Sequence, residues 1–168
     1  MPESHAKCSL FDGLLVEEPS ATEEHQCISL NLTMLLAPEV KRRELGVVRY
    51  APCDVWLSED IVVQPDVLFI SRERAHVVKG KWIHGAPDLV VEILSPSTAR
   101  LDRGRKRQLY AEGGVRELWL IDPRLRRIEV FQFDVSSKEA VKTAGIGETL
   151  ASPLLPGMSL EVSKVFEL

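Results

Sequence analysis

The sequence lacks the features that mark membrane, secreted and disulfide-stabilised proteins. No apolar run approaches the roughly 18 residues that a membrane span needs. The first ten residues, MPESHAKCSL, do not combine a basic segment with an apolar block, so we expect no secretory signal. The three cysteines, Cys8, Cys27 and Cys53, are odd in number and lack CxxC spacing, which argues against a disulfide framework and a zinc site. We therefore expect a cytoplasmic protein with no membrane segment.

Several familiar catalytic motifs are also missing. The chain has neither the GxGxxG of a dinucleotide-binding fold nor the GxSxG of a serine hydrolase. His25 and His84 have no second histidine four residues away, and we expect ordinary helix or surface roles for them. The candidate chemistry must therefore come from carboxylates and basic residues.

The order of the predicted elements favours one mixed α/β domain, with helices covering a central mixed sheet. We divide it into a hairpin region, a first helix, a catalytic core and a C-terminal strand and packing segment, at residues 1–20, 21–37, 47–135 and 136–168. Asp12-Gly13 is a hairpin turn signal, and Pro38 ends or perturbs the first helix. Gly113-Gly114 closes a second helix. The segments VVRYAPCDVWL and IVVQPDVLFIS are interpreted as strands, the second interrupted by a proline, and Trp119 as a core residue.

Positive charge is concentrated in one part of an otherwise acidic chain. The net charge is −4, yet residues 100–127 contain nine basic and four acidic side chains. Such a block can hold phosphates on an acidic protein, although a solvated helix face followed by a turn would look the same. The pattern alone leaves both interpretations open.

Two acidic residues stand in or beside strongly apolar strands. Glu92 lies inside the run LVVEIL, and Asp66 opens the run VLFI. A lone ionised carboxylate buried there would cost several kcal/mol, so Glu92 needs a cation. Asp88 shares its face of the strand but lies about 13 Å away. Asp66 opens another strand, and adjacent strands lie about 4.8 Å apart, so Asp66 is the better candidate to share that cation with Glu92.

Paired carboxylates with only oxygen ligands favour Mg²⁺ or Mn²⁺ over zinc. Such an ion can polarise a phosphoryl oxygen and lower the pKa of an attacking water, which suits phosphodiester hydrolysis. Lys106 can supply a further cation if its helix folds over the sheet, with Asp102 and Tyr110 one turn away on either side. The alternatives are an arginine paired with Glu92, a strand-start role for Asp66, a solvated Lys106 and a packing role for Tyr110.

Longer stretches of the chain resemble a known family. They are LFDGLLVEEPS, EEHQCISLNLTMLL, QPDVLFIS, GAPDLVVEILSPSTARLDRGRKRQLYAEGGVRELWLIDP and IEVFQF. From about residue 8 to 168 the sequence is similar to the Uma2 family, once called DUF820, of the PD-(D/E)XK or restriction-endonuclease-like nuclease superfamily. The most specific part is PDLVVEILSPST followed by Asp102, Lys106 and Tyr110 in a D-x3-K-x3-Y spacing. The resemblance implies a restriction-endonuclease-like fold.

The resemblance also implies roles for individual residues. Asp66 and Glu92 match the metal-binding acids of the two signature strands. The wider superfamily places a lysine two residues after the second acid, where this chain has Leu94, and Uma2 places it on the next helix, where this chain has Lys106. A first-helix acid, for which Glu24 is the candidate, completes the metal ligands, and Asp88 belongs to the PD pattern at the edge of the site.

Taken together, the residues and the resemblance predict a metal-dependent endonuclease. We expect Asp66, Glu92 and Lys106 to be catalytic, with Asp102 and Tyr110 at the site's edge and Mg²⁺ or Mn²⁺ as cofactor. DNA is the expected substrate, and analogy with the superfamily implies a homodimer. The residues expected to bind its phosphates are Arg103, Arg105 and Arg107. The alternative is an inactive module of the same fold that binds nucleic acid or a protein partner.

Overall fold

The computed structural model describes residues 7–168. Its first elements are the strands β1 (Lys7–Phe11) and β2 (Leu14–Glu18), paired as an antiparallel hairpin. Asp12 and Gly13, which connect these two strands, have φ values of 51° and 78°. Positive φ at both central residues is what a two-residue type I′ turn requires, which explains the Asp-Gly pair. Part of the predicted hairpin region, residues 1–6, lies outside the described residues.

The first helix, α1, spans Glu23–Arg42. The Thr22 side chain caps its start by accepting a hydrogen bond from the His25 backbone N–H at 3.2 Å. The expected end at residue 37 is wrong, because the helix continues through Pro38 for another turn. Pro38 removes one backbone donor, but Leu36 and Val40 on either side of it are buried in the core. Packing of these two side chains holds the last turn in place.

The central sheet has six strands in the order β12-β11-β10-β9-β6-β3. These strands are β3 (Gly46–Tyr50), β6 (Val67–Ser71), β9 (Leu89–Ile93), β10 (Glu117–Asp122), β11 (Arg127–Gln132) and β12 (Lys142–Gly145). The β9 and β10 strands are parallel, and the other neighbours in this sheet are antiparallel. This is the central mixed sheet that the sequence predicts.

A helical crossover connects the two parallel strands. It runs through α2 (Ala99–Leu101), a π-helical turn (Asp102–Lys106) and α3 (Arg107–Gly113). Gly114 follows with φ 93°, a left-handed conformation that glycine adopts without strain. The crossover therefore carries the predicted Asp102, Lys106 and Tyr110 over one face of the sheet.

A second sheet packs beside this crossover, in the order β2-β1-β5-β4-β8-β7. Its remaining strands are β4 (Val55–Ser58), β5 (Ile61–Val63), β7 (Val78–Lys79) and β8 (Trp82–His84). The smaller elements are a 3₁₀ helix (Arg72–Val77), a ribbon of β13 (Thr149–Leu150) and β14 (Leu160–Glu161), and α4 (Val162–Val165).

The central sheet is covered on both faces. One core combines α1 and the C-terminal segment with alternate residues of the sheet, including Trp119, which is 1% exposed as predicted. The other combines the opposite face with α3 and the inner face of the second sheet. No helix within residues 7–168 is long and apolar enough to cross a membrane.

Candidate active site

The structure brings Asp66 and Glu92 together. β6 and β9 are antiparallel, with Val67 opposite Val91, so Asp66 at the entrance to β6 faces Glu92. The Asp66 N–H donates to the Val91 carbonyl at 3.1 Å, and the Ile93 N–H donates to Asp66 Oδ2 at 2.7 Å. Both residues are at most 2% exposed. The backbone thus fixes two buried carboxylates side by side.

Lys7 of β1 joins these two carboxylates. Its Nζ lies 3.0 Å from Asp66 Oδ1 and 3.6 Å from Glu92 Oε2. It also lies 3.5 Å from Glu18 Oε2, the residue opposite Lys7 in the hairpin. One cation therefore touches Asp66 and Glu92 at once, which shows that the two acids can share a single positive charge. In place of the arginine that the alternative interpretation supposed, a lysine from the first strand pairs with Glu92.

Lys106 forms the deeper half of the cluster and is fully buried. Its Nζ lies 2.9 Å from Glu18 Oε1 and 3.4 Å from both Glu92 oxygens. Asp102 is 3.3 Å away, as its i,i+4 spacing predicts. Tyr110, also buried, donates its hydroxyl hydrogen bond to Glu92 Oε1. The π-helical turn is the segment that presents Asp102 and Lys106, and such turns often occur at functional sites.

The first helix contributes His25 to the cluster rather than Glu24. His25 Nε2 lies 3.3 Å from Asp66 Oδ2, whereas Glu24 is exposed. Averaged over α1, the direction of the buried residues Ile28, Leu32, Leu36 and Val40 around the helix axis coincides with that of His25. Glu24 is rotated by about 100° from that direction. The helix-phase assumption behind Glu24 is therefore corrected by one residue.

Sequence reasoning missed Lys7, Glu18 and His25. The hairpin sequence did contain a signal, because strand alternation places Lys7, Ser9 and Phe11 on one face of β1. In the structure, Ser9 on this face donates a hydrogen bond to Glu18 at 3.1 Å. What the sequence does not contain is the packing of this face on strands 59 or more residues away. Besides Asp66, Glu92 and Asp102, the cluster thus contains a fourth acid, Glu18, at the end of β2.

Burial and mutual charge shift the pKa values of the cluster strongly. Burial raises the pKa of Glu92 to about 7, against the opposing effect of the two lysines. Burial also disfavours the ionised form of Asp66, but the hydrogen bond from His25 and the charge of Lys7 lower its pKa below the usual range. Burial opposes the charge on Lys106, yet the surrounding acids raise its pKa well above that of a free lysine. Asp66 is thus the firmly ionised carboxylate of the pair.

Comparison with known proteins identifies the family. The sequence matches the family model of Uma2, described as "Putative restriction endonuclease", over residues 1–163. The chain belongs to the Uma2 family. An uncharacterized protein of Synechocystis sp. (sll1609) is 26% identical over 144 residues, 84% of this chain and 80% of that protein.

A solved structure confirms the predicted fold of this Uma2 protein. It is the crystal structure of a "putative nuclease belonging to DUF820" from Anabaena variabilis ATCC 29413. The two structures superpose with a TM-score of 0.76 at 19% identity, covering 99% of this chain and 93% of the other. The restriction-endonuclease-like arrangement expected from the sequence is therefore the observed one.

Asp88 of the PD pattern lies apart from the Uma2 cluster. It is fully buried, accepts a hydrogen bond from the Ser71 N–H at 2.6 Å, and lies 3.0 Å from Arg116 and 3.5 Å from Arg74. As the strand spacing predicts, Asp88 lies just before β9, at the end of that strand farther from Glu92. In this structure Asp88 ties the ends of β6, β9 and β10 together.

Replacing Asp88 should therefore change the stability of the fold and not the reactivity of the cluster. We expect Asp88→Ala to lower the free energy of unfolding by about 2–3 kcal/mol, because Arg74 and the Ser71 N–H lose a buried partner. Denaturant unfolding measures this change. Glu73→Ala is the matched control, since Glu73 pairs with the same Arg116 at 3.9 Å but its side chain is 81% exposed, and it should cost less than about 0.5 kcal/mol. Equal costs for the two variants would contradict the role given to Asp88.

The three arginines expected to bind phosphate all have partners within the protein. Arg103 forms two hydrogen bonds with Glu129, and Arg105 pairs with Asp12. Arg107 donates to backbone carbonyls and lies above the Phe131 ring at 5.5 Å. These contacts explain the basic block largely as intramolecular pairing, so any phosphate contact by these residues would compete with an existing bond.

Proposed function

We propose that this protein is a metal-dependent endonuclease that hydrolyses phosphodiester bonds, with DNA as substrate and Mg²⁺ or Mn²⁺ as cofactor. The observation that carries the proposal is the pairing of Asp66 with Glu92, two opposed carboxylates that already share one cation. Family membership and the nuclease description of the Anabaena variabilis protein support the same reaction class. A homodimer, which would present one site to each strand of a duplex, is part of the proposal.

The donor set fits a hard divalent ion of the magnesium type. Within the described residues, no three His, Cys, Asp or Glu side chains form a complete metal cage. Mg²⁺ does not require one, because it usually takes one or two protein carboxylates and completes its shell with water and substrate phosphate. Asp66 and Glu92 meet that requirement. The cluster contains four acids and two lysines, and this excess of acidic groups suits the binding of a cation.

The side chains of the cluster would then have different roles in the reaction. When bound, the ion would polarise a phosphoryl oxygen and lower the pKa of a coordinated water. Lys106, which the sequence predicts to be catalytic, is fully buried and contacts Glu92 and Glu18, so we revise its proposed role to that of a positioning residue. Lys7 has 19% of its side chain exposed and is the lysine that solvent reaches. If Asp66 and Glu92 held a metal ion, Lys7 would be available to pair with phosphate oxygens.

The competing function is an inactive module that binds nucleic acid or a protein. The cluster itself contains the observation that favours it, since every acid already has a lysine within 3.6 Å and Lys106 is fully buried. In such a module the two lysines would be permanent counter-ions. Arg100 and Arg124, exposed and without an ion pair among residues 7–168, would then be candidates for phosphate contacts.

Incubation of the purified protein with supercoiled plasmid separates these functions. We expect nicking with Mg²⁺ or Mn²⁺ and none with excess EDTA. Salt-sensitive plasmid binding without nicking would favour the binding module. Neither binding nor nicking, together with no Mn²⁺ uptake in calorimetric titration, would leave a protein-interaction domain and overturn the nuclease.

The position of Lys7 predicts that it competes with the metal. We expect Lys7→Met to bind Mn²⁺ at least about tenfold more tightly than the wild type, because the ion no longer displaces an ammonium group from Asp66 and Glu92. Calorimetric titration in the absence of DNA measures the effect. Lys41→Met, at an exposed lysine in the last turn of α1, controls for the change in net charge. Unchanged or weaker affinity in Lys7→Met would mean that the metal does not take the place of Lys7.

A further inference from the structure

The outer face of the second sheet carries an apolar and aromatic row where polar residues are expected. Residues paired across neighbouring strands point to the same side of a sheet. The observed pairs run across five strands: Leu15, Leu10, Val62, Trp56 and His84. Their chain neighbours point inward to the core shared with the central sheet. A solvated antiparallel face usually alternates to polar side chains, so this row calls for an explanation.

Aromatic rings concentrate at the β4–β8 end of the row. The rings of Trp56 and His84 are stacked, with centroids 5.5 Å apart and planes 13° from parallel. Trp82 lies two residues before His84 on the same face and is 48% exposed. Two of the three tryptophans of the chain therefore share one face of one small sheet. Of these two tryptophans, Trp82 is exposed and Trp56 is half-buried.

Unpaired positive charge borders these rings. Lys79 is opposite Trp82 in the β7–β8 pairing, and Lys81 lies in the turn between the two strands. Both lysines are exposed, and neither forms an ion pair with any residue that the structure describes. The carboxylate at this end of β4 is Asp54, and it accepts a hydrogen bond from Gln64 at 2.6 Å. The aromatic end of the face therefore carries more positive than negative charge.

We propose that this face, composed of Trp56, Trp82, His84, Lys79 and Lys81, binds single-stranded nucleic acid. Unpaired bases would stack on Trp82 and beside the Trp56–His84 pair, while the lysines contact the phosphates. Combined stacking surfaces and cations are typical of single-strand binding, and every base offers a ring face, so no sequence preference is needed. Duplex bases are already stacked on one another and do not fit this surface. The proposal does not depend on the metal cluster.

Binding of labelled oligonucleotides to the full chain in EDTA tests this proposal without cleavage. We expect a 16-nucleotide oligo(dT) to bind and to quench tryptophan fluorescence, and a duplex of the same length to bind more weakly without quenching. Trp82→Ala should weaken oligo(dT) binding about 5- to 150-fold, the range for loss of one stacked base. Lys79→Ala with Lys81→Ala should weaken it and reduce its salt dependence. Tyr50→Ala, at an exposed aromatic residue of β3 in the other sheet, should leave affinity unchanged.

The same variants give outcomes that would overturn the proposal. These are no binding of oligo(dT), or binding that Trp82→Ala leaves unchanged. If Trp82→Ala alters only the concentration-dependent elution of the protein in size-exclusion chromatography, the face is a contact between copies of this chain. A parallel titration with oligo(rU) tells whether the site takes DNA, RNA or both. Loss of plasmid nicking in Asp66→Asn with oligo(dT) binding intact would separate this face from the proposed active site.

Discussion

Asp66→Asn and Glu92→Gln are each expected to lower metal-dependent DNA cleavage by about a thousandfold or more, a barrier increase of ~4 kcal/mol. Both substitutions keep the size of the side chain and remove one of the two anionic ligands. Asp66→Asn can still accept the hydrogen bond from the Ile93 N–H, so the strand pairing should survive. Initial nicking rates at saturating Mn²⁺ measure the effect. Calorimetry should show weaker Mn²⁺ binding in both variants.

Glu24→Gln is the matched control for these two variants. It makes the same chemical change on the exposed side of α1, next to His25, which contacts Asp66. We expect cleavage and Mn²⁺ affinity within about twofold of the wild type. Full activity in Asp66→Asn or Glu92→Gln would exclude the proposed metal site. Loss of activity in Glu24→Gln would restore Glu24 as a ligand and require α1 to rotate.

The resemblance to the Uma2 family predicted the meeting of Asp66 and Glu92, and local rules explained why Glu92 needs a partner. An acid inside a continuous apolar strand needs a nearby cation, and alternation within the strand removes Asp88 as its partner. The D-x3-K-x3-Y spacing likewise places Asp102, Lys106 and Tyr110 on one helix face whatever the tertiary structure. These residues form the part of the site that short-range geometry determines.

The remainder of the site depends on how distant elements dock. Lys7 and Glu18 belong to a hairpin, and the residues of that hairpin do not indicate that it packs against β6 and β9. The choice between Glu24 and His25 is a matter of about 100° of helix rotation, which packing against the sheet decides. The sequence contains Arg103 and Arg105 but does not reveal their partners, since Glu129 of β11 and Asp12 of the β1–β2 turn are distant along the chain.

The same distinction explains the strand assignments. VVRYAPCDVWL forms β3 and β4, which lie in different sheets, and IVVQPDVLFIS forms β5 and β6, again in different sheets. In each case a proline, Pro52 or Pro65, stands where the chain leaves one sheet for the other. Proline cannot donate a ladder hydrogen bond, and the interruption at Pro65 was predicted on that ground, whereas VVRYAPCDVWL was interpreted as one strand and the break at Pro52 was missed. Which sheet each half would join was not predictable, because that depends on pairing with remote strands.

Lys106→Met is expected to lower the free energy of unfolding by about 3–5 kcal/mol at pH 7, because it leaves Glu92, Glu18 and Asp102 buried without their common cation. The raised pKa of Lys106 means that its contribution is complete below the pKa of a free lysine, and so at neutral pH. Burial already raises the pKa values of Glu92 and Asp102, and loss of the lysine would raise them further. The folded variant then binds more protons than the unfolded chain, so its stability should recover as the pH falls from 7 towards 5.

Urea unfolding at several pH values measures this dependence, and two further variants make the result specific. Arg105→Met, one residue earlier on the same turn, removes a cation whose side chain is 37% exposed and pairs with the exposed Asp12, so it should cost less than about 1 kcal/mol at every pH. Adding Glu92→Gln to Lys106→Met removes one of the stranded charges and should restore part of the stability at pH 7, even if the single variant is too unstable to purify. A pH-independent loss in Lys106→Met would point to a packing cavity instead, and an unchanged unfolding midpoint would mean that the buried acids do not depend on Lys106. The recovery at low pH is therefore the result that identifies Lys106 as the internal counter-ion of the site.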